Sequence, residues 1–365
     1  MLERGKIDSG QAILLMISTI LPTAILTIPS VVARSARQDA WLSVILATAV
    51  GLVIARLVVT LSLRFPGKTL FQYAEEILGK VPGKIVGLLY IWWLLHTNGL
   101  IIDVFASFLC VAMMPDTPFM IFFLVGIAVA AYAVRNGLEV LSRFNQMFLP
   151  HVMTLLLAVF ILTVKDMKLA RLLPVLDSGL SSVVKGAATP ASWLGEIVIF
   201  SMFIPYLRKP SDAHRVAMLA ILGTSLFMAV SILVTLLTFG PNMTSHWTFP
   251  VFSAVRAVSV AGFLERLESV TVAVWIFGGI AKIGVFYYAA VLGSAQWLGL
   301  KDYRPLVAPV GVVLMGLASL CPSIVDLFDF IAGGWPPYAL IVFEAGIPLA
   351  LLIVAFIRGR GGENR

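Results

Sequence analysis

Residues 19–30 read TILPTAILTIPS, with Pro22 and Pro29 seven apart in an apolar run and Thr19, Thr23 and Thr27 interleaved at helical spacing. A proline lacks a backbone N–H and crowds the carbonyl four residues earlier. The carbonyls of Ser18 and Ile25 therefore lose their usual helical partners. The stretch is apolar enough to lie in lipid. Interrupted backbone at membrane depth is tolerated only where protein buries it or where it lines a cavity. In transporters such interruptions point to the substrate site. The reading is a first membrane span, broken in its middle and facing a binding site.

The rest of the chain agrees with a membrane setting. Of 365 residues, 60% are hydrophobic and 12% are charged, about half the charged fraction of a soluble domain. Apolar runs recur along the whole length, too long and too little alternating for barrel strands, so the spans are helices. The net charge of +7 reflects where basic residues sit in loops and predicts no nucleic-acid partner. Cys110 and Cys321 read as small buried hydrophobes, since no metal or redox spacing surrounds them. The first apolar run is read as a retained span, not a removed signal segment.

Ten spans are expected, near 11–33, 39–64, 82–113, 117–134, 140–164, 190–207, 213–239, 267–298, 305–321 and 335–357. Two amphipathic pieces stand apart: KTLFQYAEEILGK (68–80) and TFPVFSAVRAVSVAGFLERLES (248–269). Lysines and arginines outnumber those of the opposite side roughly two to one on the side of the N-terminus, which predicts both termini in the cytoplasm. The chain reads as one membrane domain made of two halves, 10–164 and 186–357. Each half opens with a short, interrupted span and carries its amphipathic piece between the second and third spans. Five spans per half place the second half upside down relative to the first, an inverted repeat.

A few polar groups lie deep in these spans. Span 6 (TPASWLGEIVIFSMFIPYLRKP, 189–210) opens at Pro190, has Gly195 near its middle with Glu196 beside it, and frees the carbonyl of Ser201 at Pro205. A carboxylate there is expensive, so it either binds something or bonds to a neighbouring helix. Span 3 carries IWWLLHTNGLIID (91–103), which sets His96 and Asp103 on one helix face about 10 Å apart, with Trp93 one turn before. They could contact a ligand, relay a proton, or simply pack. Span 8 (VTVAVWIFGGIAKIGVFYYAAVLG, 270–293) holds Lys282 among Gly278, Gly279 and Gly284. That lysine could mimic a coupling ion, meet a ligand carboxylate, or snorkel. Arg56 and Glu344 read as structural cross-helix pairs, and GGWPPYA (333–339) as a break at the start of span 10. Asp326 and Asp329 read as solvated loop residues. No phosphate loop, nucleophile triad or hydrolytic carboxylate pair is found, so binding is expected in place of enzyme catalysis, with no cofactor and no metal.

Four further stretches carry a family resemblance: LTIP (26–29), LGKVPGKIVGLLY (78–90), RLLPVLDSG (171–179) and FLERLESVTVAVW (263–275). Together they resemble the B subunit of endospore germinant receptors, the spore-germination permeases. These form a branch of the amino acid–polyamine–organocation superfamily with the LeuT-type five-plus-five inverted repeat. The resemblance covers nearly the whole chain. It implies an all-α polytopic protein with helices 1 and 6 broken. It also implies recognition of an amino acid or similar germinant, with A and C partner subunits in the spore inner membrane or a cell membrane. Pro22-Thr23-Ala24 stands where the superfamily usually has a glycine-rich break. Lys282 stands where sodium-coupled relatives hold the ion with hydroxyls and carbonyls, so sodium coupling is not expected. The expected midplane site is lined by Thr23, Leu26 and Thr27, by Trp93, His96 and Thr97, by Leu194, Gly195 and Glu196, by Lys282 and Phe286, and by Tyr338. His96, Asp103, Glu196 and Lys282 are candidates for a proton relay, and Lys282 is expected to pair with Glu196 when the site is empty. A stand-alone proton-coupled amino-acid permease is the alternative function, and a ligand-opened pore a third.

Overall fold

A computed structural model describes residues 2–3, 5–257, 267–321 and 323–361. Residues 258–266 lie outside them, which removes the FLER part of one family stretch and much of the second amphipathic piece. Every described element is helical. In chain order they are α1 (Ser9–Ala36), α2 (Ala40–Leu63), α3 (Leu70–Leu78), α4 (Lys80–Ala112), α5 (Phe119–Arg135), α6 (Leu138–Thr163), α7 (Leu180–Gly195), α8 (Ala213–His246), α9 (Pro250–Ala257), α10 (Leu267–Leu298), α11 (Val307–Ala318), α12 (Ile324–Asp329) and α13 (Ile347–Ile357). Among the described residues, six stretches are long and apolar enough to cross a membrane, the first of them joining α1 and α2, and α5 and α11 are shorter apolar helices. The protein is an integral membrane protein.

Local chemistry sets the helix ends. Asp8 caps α1 in a reciprocal box: its carboxylate accepts the Gln11 amide at 2.8 Å, while the Gln11 side chain accepts the Asp8 amide at 3.0 Å. Thr69 and Gln72 repeat the device at α3. Gly79, at φ 95°, ends α3 in a conformation that only glycine adopts freely, and α4 departs from it. Gly83 then lets α4 lie directly against the α3 backbone, because a Cβ there would overlap Glu75. The short amphipathic helix thus buries Phe71, Tyr73, Ala74 and Ile77.

Three expectations are corrected. First, α1 is not broken: it stays helical through Pro22 and Pro29. Its hydroxyls are used within the helix, Ser18 and Thr19 on the Leu15 carbonyl at 2.9 and 2.7 Å and Thr27 on the Thr23 carbonyl at 3.0 Å. The whole stretch from Leu15 to Ala33 is buried, so neighbouring helices, not lipid, surround the proline sites. Second, span 6 does not open at Pro190. The helix begins at Leu180 after Gly179, whose φ is 77°, and Pro190 lies inside it. α-Geometry stops at Gly195; tight 3-10 turns follow over Glu196–Met202 and Ile204–Tyr206. Third, GGWPPYA is not a break. From Ile324 to Ile357 the chain is continuously helical, with wide π-type turns over Phe330–Gly334 and Pro336–Gly346. Paired prolines remove two N–H donors from the ordinary ladder, and a widened helix absorbs that loss. α8 leaves helical geometry at Gly240 (φ 79°), just before Pro241.

The site at the centre of the bundle

α1 is buried on every side by α6, α7, α8 and α10. α10 approaches closely because of its glycines. Gly278 lies against the Pro22 ring, and Gly279 against the Phe105 ring, where any Cβ would overlap. The same close approach carries Lys282 to the middle of the bundle, with no solvent exposure.

Lys282 is held by side chains from α1 and from the α7 segment, with one ring of its own helix alongside. Its Nζ donates to Glu196 Oε2 at 2.7 Å, where α7 gives way to 3-10 turns, and to Thr23 Oγ1 of α1 at 2.7 Å. The cation also sits 4.4 Å from the Trp193 ring centroid and 5.7 Å from that of Phe286. Such faces attract a desolvated ammonium by about 2 kcal/mol. The tight turns after Gly195 aim the Glu196 carboxylate inward.

Glu344, in the wide-turn segment, packs its carboxylate onto Gly195, and a Cβ at that glycine would overlap it. Glu344 is fully buried, and neither of its carboxylate oxygens has a hydrogen-bond partner. Sequence reading took this residue for a structural cross-helix pair; its place is beside the ion pair. Trp193, one turn before Glu196, was also missed, although a tryptophan at that spacing from a deep glutamate is a readable signal.

Around the charges runs an aromatic wall. Trp93 stacks on Phe343 at 5.8 Å and leans on Phe286 at 6.0 Å. His96 stacks on Trp92 and meets Tyr338 edge-on at 5.2 Å. Trp335 links Trp193 to Tyr338 at 5.9 Å each. Tyr90 donates to the Phe343 carbonyl at 2.7 Å. Polar atoms of this cluster are left without partners: the indole nitrogens of Trp93, Trp193 and Trp335, His96 Nδ1, Glu196 Oε1 and both Glu344 oxygens. Buried polar groups are normally satisfied, so the open acceptors and donors beside the ion pair make this centre the candidate binding place.

The structure therefore brings together Thr23, Trp93, His96, Gly195, Glu196, Lys282, Phe286 and Tyr338, while Thr97 is buried on α4 one turn beyond Trp93. Leu26 is core, Thr27 spends its hydroxyl on Thr23, and Leu194 fills the space over Gly51. Asp103 lies elsewhere, with Ser107 and Cys321 on a separate cavity of about 400 Å³ between α4, α5 and the start of α12. Among the described residues no hydrogen bond joins His96 or Asp103 to the Glu196–Lys282 pair.

Contacts join chain segments on both sides of this centre. On one side the segment before α1 crosses beneath the 3-10 turns: the Ile7 amide donates to the Tyr206 carbonyl at 3.0 Å and Lys6 Nζ to that of Pro205 at 2.8 Å. On the other, Arg34 at the end of α1 lies 3.8 Å from Asp329 of α12, whose side chain stays largely in solvent, as the sequence reading expects.

A buried ion pair ringed by aromatic side chains thus lies at the centre of a helical bundle whose fold is shared with solved structures. Matching solved structures include MhsT in complex with L-phenylalanine, with a TM-score of 0.67 at 13% identity over 97% of this chain and 99% of that one. Mhp1 with bromovinylhydantoin bound aligns at a TM-score of 0.66 and 11% identity, over 90% of this chain and 74% of that one. The fold is thus of the LeuT type. The chain belongs to the spore germination protein family, whose pattern matches residues 6–322. Among its relatives in Bacillus subtilis (strain 168), spore germination protein KB is 27% identical over all of this chain and 98% of the relative. Spore germination protein YndE is 22% identical over 98% of both.

Proposed function

We propose that this protein is the membrane subunit of a germinant receptor that binds an amino acid or similar small nutrient at the centre of the bundle. The carrying observation is the cluster of unpartnered polar atoms around the Lys282–Glu196–Thr23 contact. The unsatisfied set contains both acceptors (Glu344 and Glu196 oxygens) and donor-only indoles. A zwitterion with an ammonium and a carboxylate complements such a set, and the aromatic wall suits an apolar side chain. In this reading Glu344 faces the ammonium, and Thr23, Trp93, His96, Thr97, Gly195, Glu196, Lys282, Phe286 and Tyr338 line the site. Ligand binding shifts a conformational population and signals to A and C subunits in the spore inner membrane. Ten crossings, both termini in the cytoplasm, and inverted halves at 10–164 and 186–357 belong to the same reading. The matching order of elements supports it: α1 to α6 and α7 to α13 each place a short helix between their second and third long ones.

The experiment is a thermal-shift screen of the purified chain against amino acids, nucleosides and sugars. A compound at one hundred times its dissociation constant stabilises by about 2.7 kcal/mol. The expected result is a shift with an amino acid that Glu344→Gln and Glu196→Gln abolish. Absence of any shift, or a shift that both variants keep, rejects the site. The fold shared with MhsT favours a second reading, a stand-alone proton-coupled permease, and saturable uptake by the protein in liposomes would select it.

A further inference from the structure

Arg56 was expected to pair across helices, yet it forms no hydrogen bond or ion pair among the described residues. It is exposed on the outer side of α2, in a furrow of about 460 Å³ between α2 and α8. The walls are Leu52, Ala55, Arg56 and Thr60 from α2 and His214 and Met218 from α8. Two features identify what the furrow accepts. Its surroundings face lipid: Val53 on α2 and Leu222 and Leu226 on α8 are exposed apolar side chains. Its lining is also graded in one direction on both walls. Along α2, Thr60 and Arg56 lie nearer the helix end at Leu63, and Leu52 lies deeper. Along α8, which starts at Ala213, His214 lies at that same end and Met218 deeper. Arg56 is seven residues, about 10 Å, from the end of α2.

We infer that this furrow is a binding site for one anionic phospholipid, with the headgroup phosphate held by Arg56, Thr60 and His214 and an acyl chain running past Leu52 and Met218. An unpaired guanidinium at this depth needs an anion, and a phosphate offers it two oxygens at once. A neighbouring protein chain would have to bring a carboxylate into the bilayer, which is costly. The phosphate of a lipid is already anchored at the surface, within reach of a side chain that bends toward it.

The test uses the full chain purified in neutral detergent and offered equal amounts of phosphatidylglycerol and phosphatidylcholine with identical acyl chains, the bound lipid being read by native mass spectrometry. Phosphatidylglycerol is expected to be retained about fivefold over phosphatidylcholine, as one basic contact supplies. Arg56→Gln should bring that ratio close to one, and Arg56→Lys should restore part of it. His214→Phe, which keeps a ring in the furrow, provides a second variant should the first fold poorly, and it should also lower the ratio. An unchanged ratio in Arg56→Gln and His214→Phe overturns the proposal. So does stabilisation by inorganic phosphate alone that equals the lipid's, because the site would then serve a free anion. Loss from Arg56→Gln of a second protein that co-purifies from native membranes, with lipid retention intact, would make the furrow a protein interface and also overturn it.

Discussion

α1 carries two prolines and remains helical for 28 residues, whereas α7 carries one and yields to 3-10 turns that begin at Glu196. The difference does not lie in the prolines. In α1 the flanking hydroxyls back-bond to carbonyls three and four residues earlier, and the ring of Pro22 seats against Gly278. In α7 the change comes at Gly195, where the Glu344 carboxylate occupies the space of a missing side chain and Glu196 turns to meet Lys282. A proline removes one hydrogen bond. Abandoning α-geometry over several residues takes a competing set of contacts, which only the second region has.

The strongest way to break this comparison is to remove the competing charge. Lys282→Met leaves Glu196 buried and unpaired, and loss of one partner of a buried pair costs about 3–5 kcal/mol. The double variant Lys282→Met with Glu196→Leu should recover most of that in chemical unfolding measured in micelles. Thr23→Val removes the second acceptor of the same ammonium while keeping its shape, at about 1.5–3 kcal/mol for a charged hydrogen bond, measurable in the same assay. Gly195→Ala forces a methyl group into the Glu344 carboxylate and should cost about 1–3 kcal/mol. Its sharper readout is loss of the ligand-induced thermal shift. Pro22→Ala should be smallest, within about 1 kcal/mol of wild type, because the N–H it restores offsets the ring contact it removes. A loss from Pro22→Ala as large as that from Lys282→Met would show that the proline, not the charge, organises the centre.

Much of this was legible beforehand. The apolar runs placed most of the long helices to within a few residues, though not the starts of the sixth and tenth spans, which begin about ten residues earlier, and a deep ionisable residue is conspicuous in an apolar run. Glu196 and Lys282 stand out for that reason. The neighbours of such residues were harder to read. Glu344 looked like one more structural charge, because its meeting with Gly195 joins residues about 150 apart in the chain. Asp103 shares a helix face with His96 in sequence, yet α5 and the start of α12 enclose it in another cavity.

The sequence by itself determined the membrane setting, the helical class, and the presence of one deep lysine and one deep glutamate as groups of interest. These follow from composition and from spacing along one chain. Only the tertiary structure decided which interrupted span unwinds, which carboxylate joins the ion pair, and which buried polar atoms are left open. Those outcomes depend on how closely helices approach one another. That distance is set by small residues such as Gly278 and Gly195 meeting partners far away in sequence, a relation that no local pattern records.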